Sequence, residues 1–159
     1  MLDNLIKTAA KLGDKLKQNN LKIVTAESCT GGEIAYVLTS VPGSSAWFER
    51  GFVTYSNEAK QELLRIPKCT LTDYGAVSEQ TVIAMAKGAV AQSHGDIAVA
   101  VTGIAGPDGG TEEKPVGSVW ISWSIYGKIM SKLYHFQGDR LDIRHQTVEC
   151  ALEYLLSEI

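Results

Sequence analysis

The stretch Ile23-Val24-Thr25-Ala26-Glu27-Ser28-Cys29-Thr30-Gly31-Gly32-Glu33 decides the fold. Residues 21–26 are an apolar run with the length and character of a buried strand, and the run breaks into a polar turn holding two adjacent glycines. Ile34, Val37, Leu38 and Val41 then recur at helical spacing. Thr30 followed by Glu33 has the form of a capping box, which predicts a helix start near Thr30. A strand that feeds a helix through such a turn gathers free backbone N–H groups at the positive end of the helix dipole. That end suits an anion, either a bound phosphate or an oxyanion formed beside a nucleophilic Ser28. Ordinary capping chemistry is the competing reading of the same Ser, Thr and Gly residues. The stretch has neither the Gly-Lys-Ser/Thr ending of a P-loop nor the three-glycine dinucleotide fingerprint.

On its amino side, Leu2, Leu5, Ile6, Ala9, Leu12 and Leu16 form one face of a first helix that ends near Asn19-Asn20. On its carboxyl side, the helix from Glu33 stops near Ser40, before Pro42-Gly43. Residues 47–55 are aromatic and β-branched enough for a second strand, and Ser56-Asn57 caps a helix running to Ile66. Residues 68–77 read as irregular. A helix over residues 78–94 presents Val82, Met85, Ala86 and Ala89 on one side. The continuous apolar run 97–101 marks a strand covered on both faces, ending at Thr102-Gly103.

Residues 103–117 hold five glycines and two prolines, and a loop of that length in a compact domain is functional or disordered. Residues 119–126 alternate, and Gly127-Lys128 turns them into 129–136 as an antiparallel hairpin. The last helix starts at Asp139 or Asp142 and buries Val148, Ala151, Leu152 and Leu155. The expected architecture is α/β: three α/β/α layers around a mixed, mostly parallel sheet with a C-terminal antiparallel hairpin. Residues 1–159 read as a single domain.

Composition narrows the class of function. A hydrophobic content of 45% with 21% charged residues is that of a soluble globular chain, and the net charge of −3 leaves no basic stripe for nucleic acid. No apolar run has the length of a membrane span, and no signal peptide opens the chain, so the expected compartment is the cytoplasm. Three distant cysteines, Cys29, Cys69 and Cys150, read as reduced thiols. The three histidines show no metal-ligand spacing, and neither a metal nor an organic cofactor is expected.

Ligands of such sheets sit beyond the carboxyl ends of parallel strands. The Ser28 turn, Tyr55-Ser56 and Thr102 all fall at strand ends. Lys60 lies early in its helix, where the dipole disfavours a cation, and shares a side with Leu63 and Leu64. Both effects favour the neutral amine, which can accept a proton from a serine hydroxyl. Snorkelling of the ammonium to water is the alternative. Cys29, which could replace Ser28 as nucleophile, reads instead as a small buried residue packed under the turn, and Tyr55 as a packed aromatic with a satisfied hydroxyl or as a substrate contact. Thr102 also reads as simply satisfying backbone groups at its strand end. Arg140 and Arg144, one turn apart, offer a double cationic fork to phosphate or carboxylate. Asp108, Glu112 and Glu113 read as a solvated rim.

The runs 25–32 (TAESCTGG), 43–48 (GSSAWF), 51–60 (GFVTYSNEAK), 75–78 (GAVS) and 102–117 (TGIAGPDGGTEEKPVG) closely resemble the CinA C-terminal domain family, in order and over essentially the whole chain. The resemblance implies a nicotinamide-nucleotide amidase, which hydrolyses the carboxamide of nicotinamide mononucleotide to nicotinate mononucleotide and ammonia. It implies Ser28 as nucleophile and Lys60 as general base, with Ser45, Tyr55 and Thr102 in the active site. It also implies an arginine of the last helix, Arg144 in first place and Arg140 in second. Thr30, Gly31 and Gly32 would hold either the oxyanion or the 5′-phosphate. The chain matches the stand-alone amidase form, without the N-terminal domain of many CinA proteins, and a homodimer is expected. A non-catalytic nucleotide-binding or regulatory module is the alternative function.

Overall fold

Residues 23–27 and 97–103 are buried along nearly their whole length and pair as parallel strands at the centre of a sheet whose two faces are covered by helices. The structure, a computed structural model, describes residues 1–159. The elements are α1 (Leu2–Gln18), β1 (Ile23–Glu27), α2 (Glu33–Thr39), a 3₁₀ turn (Ser44–Ala46), β2 (Phe48–Val53), α3 (Asn57–Leu64), α4 (Lys68–Tyr74), α5 (Glu79–Ala91), β3 (Ile97–Gly103), β4 (Ser118–Ile125), β5 (Lys128–His135) and α6 (Arg140–Glu158). The sheet order is β2-β1-β3-β4-β5. β1 pairs in parallel with β2 and with β3, while β4 is antiparallel to both β3 and β5. Only β4 therefore runs against the other four, which gives the expected mixed, mostly parallel sheet.

The two faces are packed differently. Ile97, Val99 and Val101 of β3 join Leu12, Leu16, Val148 and Leu152 of α1 and α6 in the larger core. Ala98 and Ala100 point the other way, onto Val82, Met85, Ala86 and Ala89 of α5. Small side chains on that face let α5 lie close to the sheet. α5 also lies close to α3, since a Cβ added at Gly88 would stand 2.3 Å from the Leu64 carbonyl oxygen. No helix is long and apolar enough to cross a membrane.

Two expectations of local structure change, and a third is sharpened. Residues 68–74, read as irregular, form α4. It escapes a periodicity reading because it buries only Leu71, contains two threonines, and follows Pro67 with no side-chain cap. The hairpin turn is Tyr126-Gly127, both at positive φ, and not Gly127-Lys128. Positive φ at both positions is what a right-twisted two-residue hairpin requires. The loop 104–117 is bonded to itself: the amide of Gly117 donates to Ile104, and that of Thr111 to Lys114. Lys114 Nζ further ties the loop to the Tyr74 carbonyl.

Candidate active site

Strand register assembles the site. Glu27 is level with Val53 on one side and Val101 on the other, so Ser28, Thr54 and Thr102 follow at one height. The Ser28 amide donates to Val101, and the Thr54 amide to Glu27. Neighbouring strands stand about 4.8 Å apart, so these three hydroxyl residues share one end of the sheet.

The turn after β1 is organised by a residue to which sequence reasoning gave no role. Glu27 is fully buried, and its carboxylate accepts from the Thr30 hydroxyl at 2.6 Å, the Ile34 amide at 2.8 Å and the Ala35 amide at 3.0 Å. Burial pushes this carboxyl above the usual range, while those three hydrogen bonds pull it back. The expected capping box is not formed. α2 starts at Glu33 after Gly32, and no side chain caps it from Thr30. The anion expected at this helix end is the chain's own Glu27. The Gly31 amide is also taken, by the Ser28 carbonyl. The amides of Cys29 and Thr30 donate to no backbone acceptor.

Lys60 does not snorkel. It is only 1% exposed, with Leu64 buried beside it and Leu63 at the surface. Its Nζ lies 3.0 Å from Ser28 Oγ, 2.8 Å from the Thr54 carbonyl and 3.5 Å from that of Tyr55. Ser56 accepts from the Ala59 amide and caps α3, which fixes the helix that delivers the lysine. Burial pushes the Lys60 ammonium below the ordinary lysine range, and no carboxylate pairs with it. In its neutral form the amine has two protons, which the two carbonyls can accept, and one lone pair left to accept from Ser28 Oγ.

The cleft in front of this pair encloses about 280 Å³ and is lined by Ser28, Cys29, Lys60, Tyr55, Thr102 and Arg140, among others. Thr102 is buried and donates its proton to the Ala76 carbonyl at 2.8 Å, so toward the cleft it can only accept. Arg140 donates to the Gly106 carbonyl at 2.7 Å and to the Tyr55 hydroxyl at 2.9 Å. Asp108 of the glycine loop lines the same cleft. Cys29 is buried, and burial, reinforced by the charge of Glu27, pushes its thiol up to about 12.

Other expected site residues lie elsewhere. Arg144 donates to the Thr30 carbonyl at 3.0 Å and, with Gly31 and Gly32, lines a separate hollow of about 520 Å³. Of the two arginines it is therefore Arg140, the second choice, that borders the cleft. Thr30 spends its hydroxyl on Glu27 and is fully buried. Ser45 is exposed on the 3₁₀ turn before β2. Ile23 pairs with Phe48, so Ser45 lies at the amino end of β1, roughly 16 Å of strand away from Ser28.

The model of the CinA C-terminal domain matches residues 5–159. The chain belongs to the CinA C-terminal domain family. Nicotinamide-nucleotide amidohydrolase PncC of Pseudomonas putida is 50% identical over 155 residues, covering 98% of this chain and 97% of that protein. A CinA-like protein of Colwellia psychrerythraea is 54% identical over 147 residues, which are 92% of this chain and 34% of that longer one. The solved structure of the competence/damage inducible protein CihA from Agrobacterium tumefaciens is similar with a TM-score of 0.94 at 45% identity, covering 96% of this chain and 94% of that one. Within this CinA domain, Glu27 is the residue to which the sequence reading gives no partner. Asp108, Glu112 and Glu113 are all exposed, as a solvated rim requires, and of the three only Asp108 lines the cleft.

Proposed function

We propose that the chain is a cytoplasmic, single-domain nicotinamide-nucleotide amidase that converts nicotinamide mononucleotide to nicotinate mononucleotide and ammonia, a salvage reaction of pyridine nucleotides. The observation that carries the reading is the buried Lys60 amine at 3.0 Å from Ser28 Oγ. It occurs in a chain half identical, nearly end to end, to a relative named for that activity.

Neutral Lys60 takes the proton of Ser28 as Oγ bonds to the carboxamide carbon. The amide of Cys29, next in the chain, is the oxyanion donor, a contribution of about 3 kcal/mol for one such group. The C–N bond then breaks, and the Lys60 ammonium returns its proton to the leaving nitrogen, which departs as ammonia. Water adds to the resulting ester, again giving a proton to Lys60, and the ester C–O bond breaks to release the carboxylate. Lys60 hands that proton back to Ser28. Thr102, acceptor-only toward the cleft, takes an N–H of the substrate amide and orients it. Arg140 and the Tyr55 hydroxyl receive the 5′-phosphate.

Ammonia release from nicotinamide mononucleotide, its riboside and free nicotinamide tests the reading. The mononucleotide is expected to be turned over, and the riboside at least tenfold less efficiently. Tight binding of the nucleotide with no ammonia would favour the non-catalytic nucleotide-binding module instead.

A further inference from the structure

We infer that Asp108 is a specificity-determining residue: it selects nucleotides whose base carries a positive charge, and so makes the cleft a reader of zwitterions. The inference rests on the amidase reading and deepens it. Apart from the reacting Lys60, the cleft has two ionisable side chains of fixed opposite sign, Arg140 and Asp108, both exposed at its mouth, and Asp108 is its only carboxylate. The two do not neutralise each other. Arg140 has only neutral partners, the Gly106 carbonyl and the Tyr55 hydroxyl, and the ion pairs of the chain, Arg50 with Glu49 and His145 with Glu33, leave both Arg140 and Asp108 out.

A carboxylate without a cation and a guanidinium without an anion in one cleft are complementary to a ligand that carries both charges. Nicotinamide mononucleotide is such a ligand: its glycosylated ring nitrogen is a cation, and its phosphate is an anion. The ring nitrogen lies between the carboxamide, which must reach Ser28, and the phosphate, which Arg140 takes at the mouth. Asp108 belongs to a loop held by its own hydrogen bonds and by Lys114 on Tyr74. Its backbone is thus positioned by the fold before any ligand arrives. Two glycines at positive φ, Gly106 and Gly109, bracket it, and both line the cleft.

The product keeps the cationic ring, so Asp108 acts on recognition and not on the bond-breaking step. A reduced mononucleotide, with a 1,4-dihydropyridine ring, has the same carboxamide, ribose and phosphate but a neutral ring nitrogen. It isolates the charge that Asp108 reads.

The experiment is calorimetric titration of the Ser28→Ala protein, which removes turnover, with oxidised and reduced nicotinamide mononucleotide, repeated after adding Asp108→Asn or Asp108→Glu. Asp108→Asn is expected to weaken the oxidised nucleotide about fivefold, the upper end for a solvent-exposed charge pair, and the reduced one less than twofold. Asp108→Glu should retain most of the preference. Equal weakening of both nucleotides, or of neither, overturns the role of Asp108. Failure of the Ser28→Ala protein to bind either nucleotide, together with no ammonia from the wild type, overturns the amidase reading itself and the inference with it.

Discussion

Replacing Lys60 with methionine keeps the aliphatic stem and removes the amine. In the wild type that amine is 1% exposed and has three oxygen neighbours: Ser28 Oγ, the Thr54 carbonyl and the Tyr55 carbonyl. Two consequences follow, and they separate in pH. The first is catalytic: Ser28 loses its only proton acceptor within hydrogen-bond reach, so kcat should fall by about 10²–10⁴-fold. The second is energetic. Two carbonyls lose a donor, at about 1 kcal/mol each, while the cost of burying the amine disappears.

The sign of the pH effect comes from the depressed Lys60 value. Between that value and the ordinary one, the unfolded chain binds a proton that the folded protein does not, so wild-type stability rises with pH. The lysine's contribution is full above the ordinary lysine range and is lost as pH falls through the depressed value. The slope is at most about 1.4 kcal/mol per pH unit, or roughly 3–5 °C in Tm for a chain of this size. Thermal unfolding of both proteins from pH 7 to 10 measures it, since other titrations cancel in the difference. The wild type should gain on the variant as pH rises. A gap that stays flat or shrinks, or a variant within tenfold of wild-type kcat, would refute the buried-base argument.

Cys29 should be dispensable: with its thiol pushed up to about 12, iodoacetamide at neutral pH should label exposed Cys69 and leave activity intact, and Cys29→Ala should keep turnover within a few-fold. Glu27→Gln puts an amide donor where the carboxylate now accepts from two helix amides and a hydroxyl, so urea unfolding should show a loss of about 1–3 kcal/mol. Gly88→Ala drives a methyl against the Leu64 carbonyl and should lower Tm by several degrees, corresponding to about 1–3 kcal/mol, without changing KM.

The sequence was legible where local chemistry decides. The α6 start at Asp139, the Ser56 and Ser78 caps and the buried side of α5 all follow from residue type and spacing. Ser28, Tyr55 and Thr102 were readable as strand-end residues, and register then brings them to one cleft. What was not legible depends on who reaches whom. The Thr30 and Glu33 pattern is a valid capping signature, yet Glu27 enters from the preceding strand and takes the amides first, while Glu33 pairs with His145. Arg140 and Arg144 share a side of α6, but one turn of rise carries Arg144 past the cleft to the Thr30 carbonyl. Whether Lys60 snorkels is settled only by the strand ends that close over it. Ser45 matched a family motif, but the strand direction puts it at the opposite end of β1.

The central claim is that Ser28 Oγ forms the bond to the carboxamide carbon. Its most direct measurement is kcat for ammonia release from nicotinamide mononucleotide by Ser28→Ala, with nucleotide affinity followed in parallel. The account predicts a fall of at least about 10³-fold with Kd within a few-fold of wild type. A Ser28→Ala protein that keeps kcat within tenfold of the wild type would contradict it.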